Sequence, residues 1–164
     1  MQRYKAIVKY KTSFYSFYLP VRLAFTMAGI NDQISLDFAD KFLFSIGEYF
    51  QIQDDFLDCF GDPQVTGKIG TDIQDNKCSW LVVQALSLGR IDLVDFLVQN
   101  YGKADQQRVE AIKNLFTTLK LPELFKELCQ NTEASLLKVI EKECPSDQKP
   151  IYFGICNFVF QRKS

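Results

Sequence analysis

From Ser35 to Phe60 apolar residues recur at helical spacing with no proline or turn pair to interrupt them, and in "FQIQDDFLDCF" three aspartates enter that run. Aspartate is a poor helix former and costly to bury, so Asp54, Asp55 and Asp58 need compensation. On an α-helix Gln51, Asp54, Asp55 and Asp58 fall at i, i+3, i+4 and i+7, which makes one polar stripe, while Phe50, Ile52, Phe56 and Leu57 occupy the other faces. Like charges that close repel one another, whereas a bridging divalent cation would hold all three ionised. A solvated acidic face is the plainer alternative. It explains less, because the aspartates sit near the helix C-terminus, where the macrodipole disfavours negative charge.

The remaining chain also reads at helical period, and the spacing predicts an all-α protein, a helical bundle. A first helix is expected over about Arg3 to Ala28, kinked at Pro20 and closed by Gly29. The acidic helix should start at Ser35 as N-cap and stop at Gly61 and Pro63. Further helices are expected over about Cys78 to Leu88, Ile91 to Asn100, Asp105 to Leu119, Pro122 to Glu143 and Pro150 to Arg162. Between the second and third lies a long, glycine-punctuated loop, "GDPQVTGKIGTDIQDNK". Long ordered loops tend to carry function. Lys68 stands between Gly67 and Gly70, and Lys77 opens the next helix, so cationic groups and backbone N–H donors lie beside the acid. Metal plus diphosphate suits that pairing, with a plain exposed loop as the bland reading.

The chain has no histidine, which removes the commonest transition-metal ligand and leaves oxygen donors that suit a hard ion such as Mg²⁺. Nineteen basic and twenty acidic residues give a net charge of −1, no general reason to bind nucleic acid or an anionic membrane. The five cysteines are scattered and never form C-x-x-C, so no disulfide framework or zinc site is indicated and a reducing compartment, the cytoplasm, is expected. "MQRYKAIVKYK" lacks the apolar core of a signal peptide, and "IYFGICNFVF" is too short to span a bilayer. Fifteen phenylalanines are a heavy load for 164 residues, so part of that surface is expected to face another chain or a further segment.

The segment "FQIQDDFLDCFGDPQVTGKIGTDIQDNKCSWLVVQAL" resembles the second aspartate-rich region of the farnesyl diphosphate synthases, and "YKTSFYSFYLPVRLAFTMAGI" resembles the lysine-threonine helix that precedes it. The resemblance implies a prenyltransferase of isoprenoid and sterol biosynthesis that condenses isopentenyl diphosphate with an allylic diphosphate, using Mg²⁺. It implies Asp54, Asp55 and Asp58 as metal ligands, Lys11, Lys68 and Lys77 as diphosphate contacts, and Lys11, Thr12 and Gln51 as catalytic residues. Taken singly, each helper has an ordinary reading: Lys11 a surface lysine, Thr12 a helix residue, Gln51 a core amide. The family also implies a homodimer in the full-length form.

Family members are about twice as long, and their first aspartate-rich motif with its arginine pair would lie upstream. Residues 1–164 are thus expected to form a single partial domain, the C-terminal half of an isoprenoid synthase-type fold, inactive alone. The ending "FQRKS" departs from the family's strongly basic tail, which leaves open what Arg162 and Lys163 contribute. The alternatives are a truncated, non-catalytic paralogue or splice product that binds partners through its aromatic surface, and a metal-binding bundle of unrelated function.

Overall fold

The computed structural model describes residues 1–162, so Lys163 lies outside the described residues. The described chain is all-α, with no strand among these residues. It runs as α1 (Gln2–Val8), a π-helical stretch (Lys9–Tyr18), α2 (Leu19–Ala28), α3 (Gln33–Phe60), α4 (Pro63–Thr66), α5 (Trp80–Ser87), α6 (Ile91–Asn100), α7 (Gln106–Thr118), α8 (Leu121–Glu143) and α9 (Lys149–Phe160). The chain divides into two compact units, one of residues 1–4 and 52–127, the other of residues 5–51 and 128–162.

In the second of these units, Phe38, Phe42, Leu43, Ile46 and Tyr49 recur at helical spacing on α3 and pack with Leu136 and Ile140 of α8 and with Tyr152, Cys156 and Val159 of α9. Tyr152 meets Phe38 and Phe42 edge to face, with ring centroids 4.8 and 5.0 Å apart. Full burial of such a side chain contributes about 1.5–3 kcal/mol, so this cluster dominates the unit's stability. Phe50 is half-buried, edge-on to Phe17 at 5.3 Å, and the Arg162 guanidinium lies 4.0 Å from its ring centroid.

Two expectations for this unit need correction. The helix expected from Arg3 to Ala28 is not one kinked α-helix: a π-helical stretch intervenes and runs directly into α2, with Pro20 at the junction, where the hydrogen-bond pattern changes. Gly29 closes α2 at φ +71°, as expected. Ser35 is not the N-cap of α3. Asp32 accepts the Ser35 N–H at 2.9 Å, and that bond holds its carboxyl below the usual range. The buried Ser35 hydroxyl instead accepts from Gln148 Nε2 at 2.6 Å.

The π-helical stretch passes very close to α3. A Cβ added to Gly47 would lie 2.5 Å from Ser13 Cα, so this crossing tolerates only glycine on one side and a small residue on the other. Ser13, itself buried, donates its hydroxyl to the Phe44 carbonyl at 3.2 Å. Helix breakers are usually penalised inside a helix; here the absent side chain is what lets the two helices meet.

The other unit is built on the last turns of α3. Ile52, Phe56 and Leu57 are buried, as their faces predict, with Trp80, Leu81, Leu93, Leu97, Ile112 and Phe116. Phe56 stacks on Phe125 with centroids 3.9 Å apart, and Trp80 meets Phe125 edge-on at 6.1 Å. α5 begins at Trp80 rather than Cys78, with Ser79 preceding it. Asp55 explains the position: its buried carboxylate accepts the Trp80 N–H at 2.7 Å, a charge at the positive end of the helix dipole. The expected loop is ordered, holding the short α4 capped by Asp62 on the Gln64 N–H, then hydrogen-bonded turns anchored by buried Ile73. The remaining helix ends fall within about two residues of expectation.

Two measurements of unfolding free energy check this account. Gly47→Ala should lower stability by about 1–3 kcal/mol through overpacking against Ser13, whereas Gly154→Ala in α9, which meets open space, should raise it by about 0.5–1 kcal/mol. Equal effects at both positions would remove the close crossing. Asp55→Ala should cost about 1–3 kcal/mol in urea denaturation, because the first N–H of α5 is left buried without its acceptor.

Candidate functional site

The acidic stripe of α3 meets the glycine loop within one unit, and three contacts fix the meeting. Gly70 lies directly against the helix: a Cβ there would collide with the Asp58 carbonyl oxygen, so no side chain fits. Asp58 Oδ1 accepts the Asp72 N–H at 2.8 Å. Gly61 is equally close, its missing Cβ 2.5 Å from the Leu57 carbonyl oxygen and 2.7 Å from the Thr66 methyl. The loop is thereby laid over the end of α3.

Lys68 lies between those anchor points. Its backbone carbonyl accepts from Thr66 Oγ1 at 3.1 Å, and Gly67 before it, at φ +71°, donates to the Pro63 carbonyl. The main chain is held at both sides while the side chain stays half-exposed. Its ammonium lies 3.6 Å from Asp54 Oδ1 and 4.0 Å from Asp58 Oδ2. Asp54 keeps 33% of its side chain accessible against 10% for Asp58, so Asp54 is the carboxylate open to a ligand.

The three aspartates therefore do different things. Asp55 is turned to the Trp80 backbone, Asp58 is shared between a backbone N–H and Lys68, and Asp54 faces Lys68 and solvent. Among the described residues no group of three or more carboxylate or cysteine side chains is gathered closely enough to hold a metal by itself. That arrangement still fits Mg²⁺, which is commonly held by one or two carboxylates with water and phosphate oxygens completing its octahedron. Asp54 and Asp58 supply such a pair of hard donors.

Lys77 lies in the same unit, exposed and without an ion pair among the described residues, its main chain fixed by N–H donation to the Asp72 carbonyl and by acceptance from Tyr101 Oη at 2.8 Å. In the other unit Thr12 and Gln51 come together: the Thr12 hydroxyl donates to Gln51 Oε1, and both residues are buried. Lys11 beside Thr12 is exposed and makes no ion pair among the described residues. The pairing of Thr12 with Gln51 depends on the Gly47 and Ser13 crossing, each one residue or one helical turn away.

Sequence reasoning missed Gly47, Ser13 and Asp72, and it noted Gly70 beside Lys68 without its close approach to α3. An isolated glycine in a strongly helical pattern is a signal that could have found Gly47. Nothing local marks Asp72, whose contribution is a backbone N–H. The five cysteines are free, and burial pushes the thiols of Cys59 and Cys156 up to about 12 and that of Cys144 up to about 11, which makes them unreactive core residues. No helix of the described residues is long and apolar enough to cross a membrane.

Comparison with known proteins places these residues in a lineage. The polyprenyl synthetase family model matches residues 1–119. Farnesyl pyrophosphate synthase of Gallus gallus is 46% identical over 162 residues, covering 99% of this chain and 44% of that protein. The Homo sapiens protein of the same name is also 46% identical over 162 residues, 39% of its length. The T. brucei farnesyl diphosphate synthase complexed with risedronate superposes with a TM-score of 0.91 at 31% identity, covering all of this chain and 46% of that one. The chain thus spans less than half the length of these curated relatives. With its glycine-anchored lysine loop over the acidic end of α3 and the match over most of its length, the chain belongs to the polyprenyl synthetase family.

Proposed function

We propose that this chain carries the second aspartate-rich half of a farnesyl diphosphate synthase-type prenyltransferase, which condenses isopentenyl diphosphate with dimethylallyl or geranyl diphosphate. The observation that carries the reading is Lys68 held beside Asp54 and Asp58 on a loop that glycines clamp to α3. Bound at those carboxylates, Mg²⁺ would supply positive charge to the diphosphate that leaves the allylic carbon. Asp54 and Asp58 would hold the ion, and Asp55 would keep α5 and the intervening loop in place.

Lys68, Lys77 and Lys11 would donate to phosphate oxygens, placing fixed positive charge where negative charge develops. Thr12 and Gln51, a hydroxyl and an amide already paired, would offer oxygen lone pairs to a developing carbocation. Phenylalanine-rich helix faces would exclude water from it. A homodimer in the cytoplasm, sterol and other isoprenoid products, and the absence of nucleic-acid partners belong to the same reading. So does a polyprenyl synthetase first half supplied by further sequence, which the partial coverage of the relatives supports.

Thermal melts test the site. Mg²⁺ with risedronate, the ligand named for the T. brucei structure, should stabilise the chain by about 2.7 kcal/mol at a hundredfold excess over Kd, and either alone by much less. Asp54→Ala should lose the shift; an equal shift in that variant would remove the site from α3. Product assays test the chemistry. The 164-residue chain alone should give no condensation product above background, and a mixture with a separately expressed first half should restore it, because the leaving diphosphate is poorly neutralised with part of its electrostatic contacts missing. Robust turnover by the chain alone would overturn this division of labour, and a mixture that stays inactive would favour the non-catalytic, partner-binding reading.

A further inference from the structure

We propose that Tyr101 is a positioning residue for Lys77, its phenol holding that lysine where a diphosphate would meet it. The inference rests on the reading of Lys77 as a diphosphate contact. The Lys77 side chain has nothing of its own to fix it. It is exposed, it makes no ion pair among the described residues, and the cavity of about 880 Å³ that it lines also carries Arg3 and Lys103. Among the described residues no carboxylate lines that cavity, so the charges around the ammonium repel it. Where it stands is therefore decided by its main chain.

Residues 77–79 link the turn after Ile73 to α5 with no helix of their own. At one end the Lys77 N–H donates to the Asp72 carbonyl at 3.0 Å, and beyond the other the Trp80 N–H is taken by Asp55. Tyr101 acts between them. Its hydroxyl donates to the Lys77 carbonyl at 2.8 Å and, with its proton so used, accepts from Ser79 Oγ at 3.3 Å, so one phenol oxygen ties both ends of the link. Burial pushes the phenol's pKa up, which keeps it a donor near neutral pH. The phenol is itself anchored by the chain around it. Tyr101 ends α6 with its N–H on the Leu97 carbonyl, and Gly102, at φ +73°, donates to the Ile73 carbonyl at 2.9 Å. A Cβ on Gly102 would lie 2.9 Å from Asn76 Cβ, so only glycine passes this close to the turn. The end of α6 thereby holds the turn at Ile73 and the link at Lys77 together.

A double-mutant cycle tests this, read as the affinity for inorganic pyrophosphate by calorimetry with Mg²⁺ in constant excess. Lys77→Ala should weaken binding about tenfold through loss of one charge-assisted bond. Tyr101→Phe keeps the ring and removes only the hydroxyl; it should weaken binding about threefold, because a freed lysine must be ordered when the ligand arrives. In the double variant Tyr101→Phe should add nothing, leaving the affinity within about 1.5-fold of Lys77→Ala alone. A hydroxyl that merely stabilises the fold would lower the unfolding midpoint and leave affinity unchanged, or would weaken binding by the same factor with or without Lys77. Either result would overturn the proposal. Wild-type affinity in Lys77→Ala, with binding still lost in Asp54→Ala, would overturn it together with the role of Lys77 and leave the acidic site standing.

Discussion

A carboxylate near the C-terminal end of an apolar helix has lost much of its water and faces the negative end of the helix dipole. Three such groups crowd the last turns of α3, and the surrounding chain is arranged around satisfying them. One receives the N–H of Trp80 and fixes where α5 starts; one receives the N–H of Asp72 and draws the loop down; one is left to a lysine. Each solution recruits a different part of the following segment. The acidic residues thereby organise the fold of residues 61–80 before they organise any ligand.

The sequence made the helices and the stripe readable because both depend on periodicity, which is local. Phe56, Leu57 and Ile52 are buried where a helical wheel puts them. What periodicity cannot carry is the distinction among Asp54, Asp55 and Asp58, because two of them take backbone N–H groups 14 and 25 positions away and the third takes a lysine side chain on the following loop. Equivalent letters in a stripe received unequal roles. The N-cap of α3 differs from expectation for a related reason: Asp32 and Ser35 are both good caps, Asp32 takes the Ser35 N–H, and the serine hydroxyl accepts from Gln148, more than a hundred residues on.

The residue-level resemblance to one family was more informative than charge or composition, since a net charge of −1 hides a local cluster of both signs. One lysine, Lys68, lies here within 4.0 Å of two aspartates, Asp54 and Asp58. Glycines carry the least chemical information of any residue, yet Gly70 lets the lysine loop lie against α3, and in the other unit Gly47 lets two helices meet.

The π-helical stretch at Lys9–Tyr18 has one further effect. Its hydrogen bonds run from i to i+5 rather than i to i+4, so the backbone rotates less per residue and the angular phase carried from α1 is not the phase delivered to α2. A stripe drawn along the first helix does not continue into the second. The two flanking faces are therefore decoupled, and the surface of α2 where Leu23 and Met27 are exposed can change its chemistry without dragging Val8 out of its buried position.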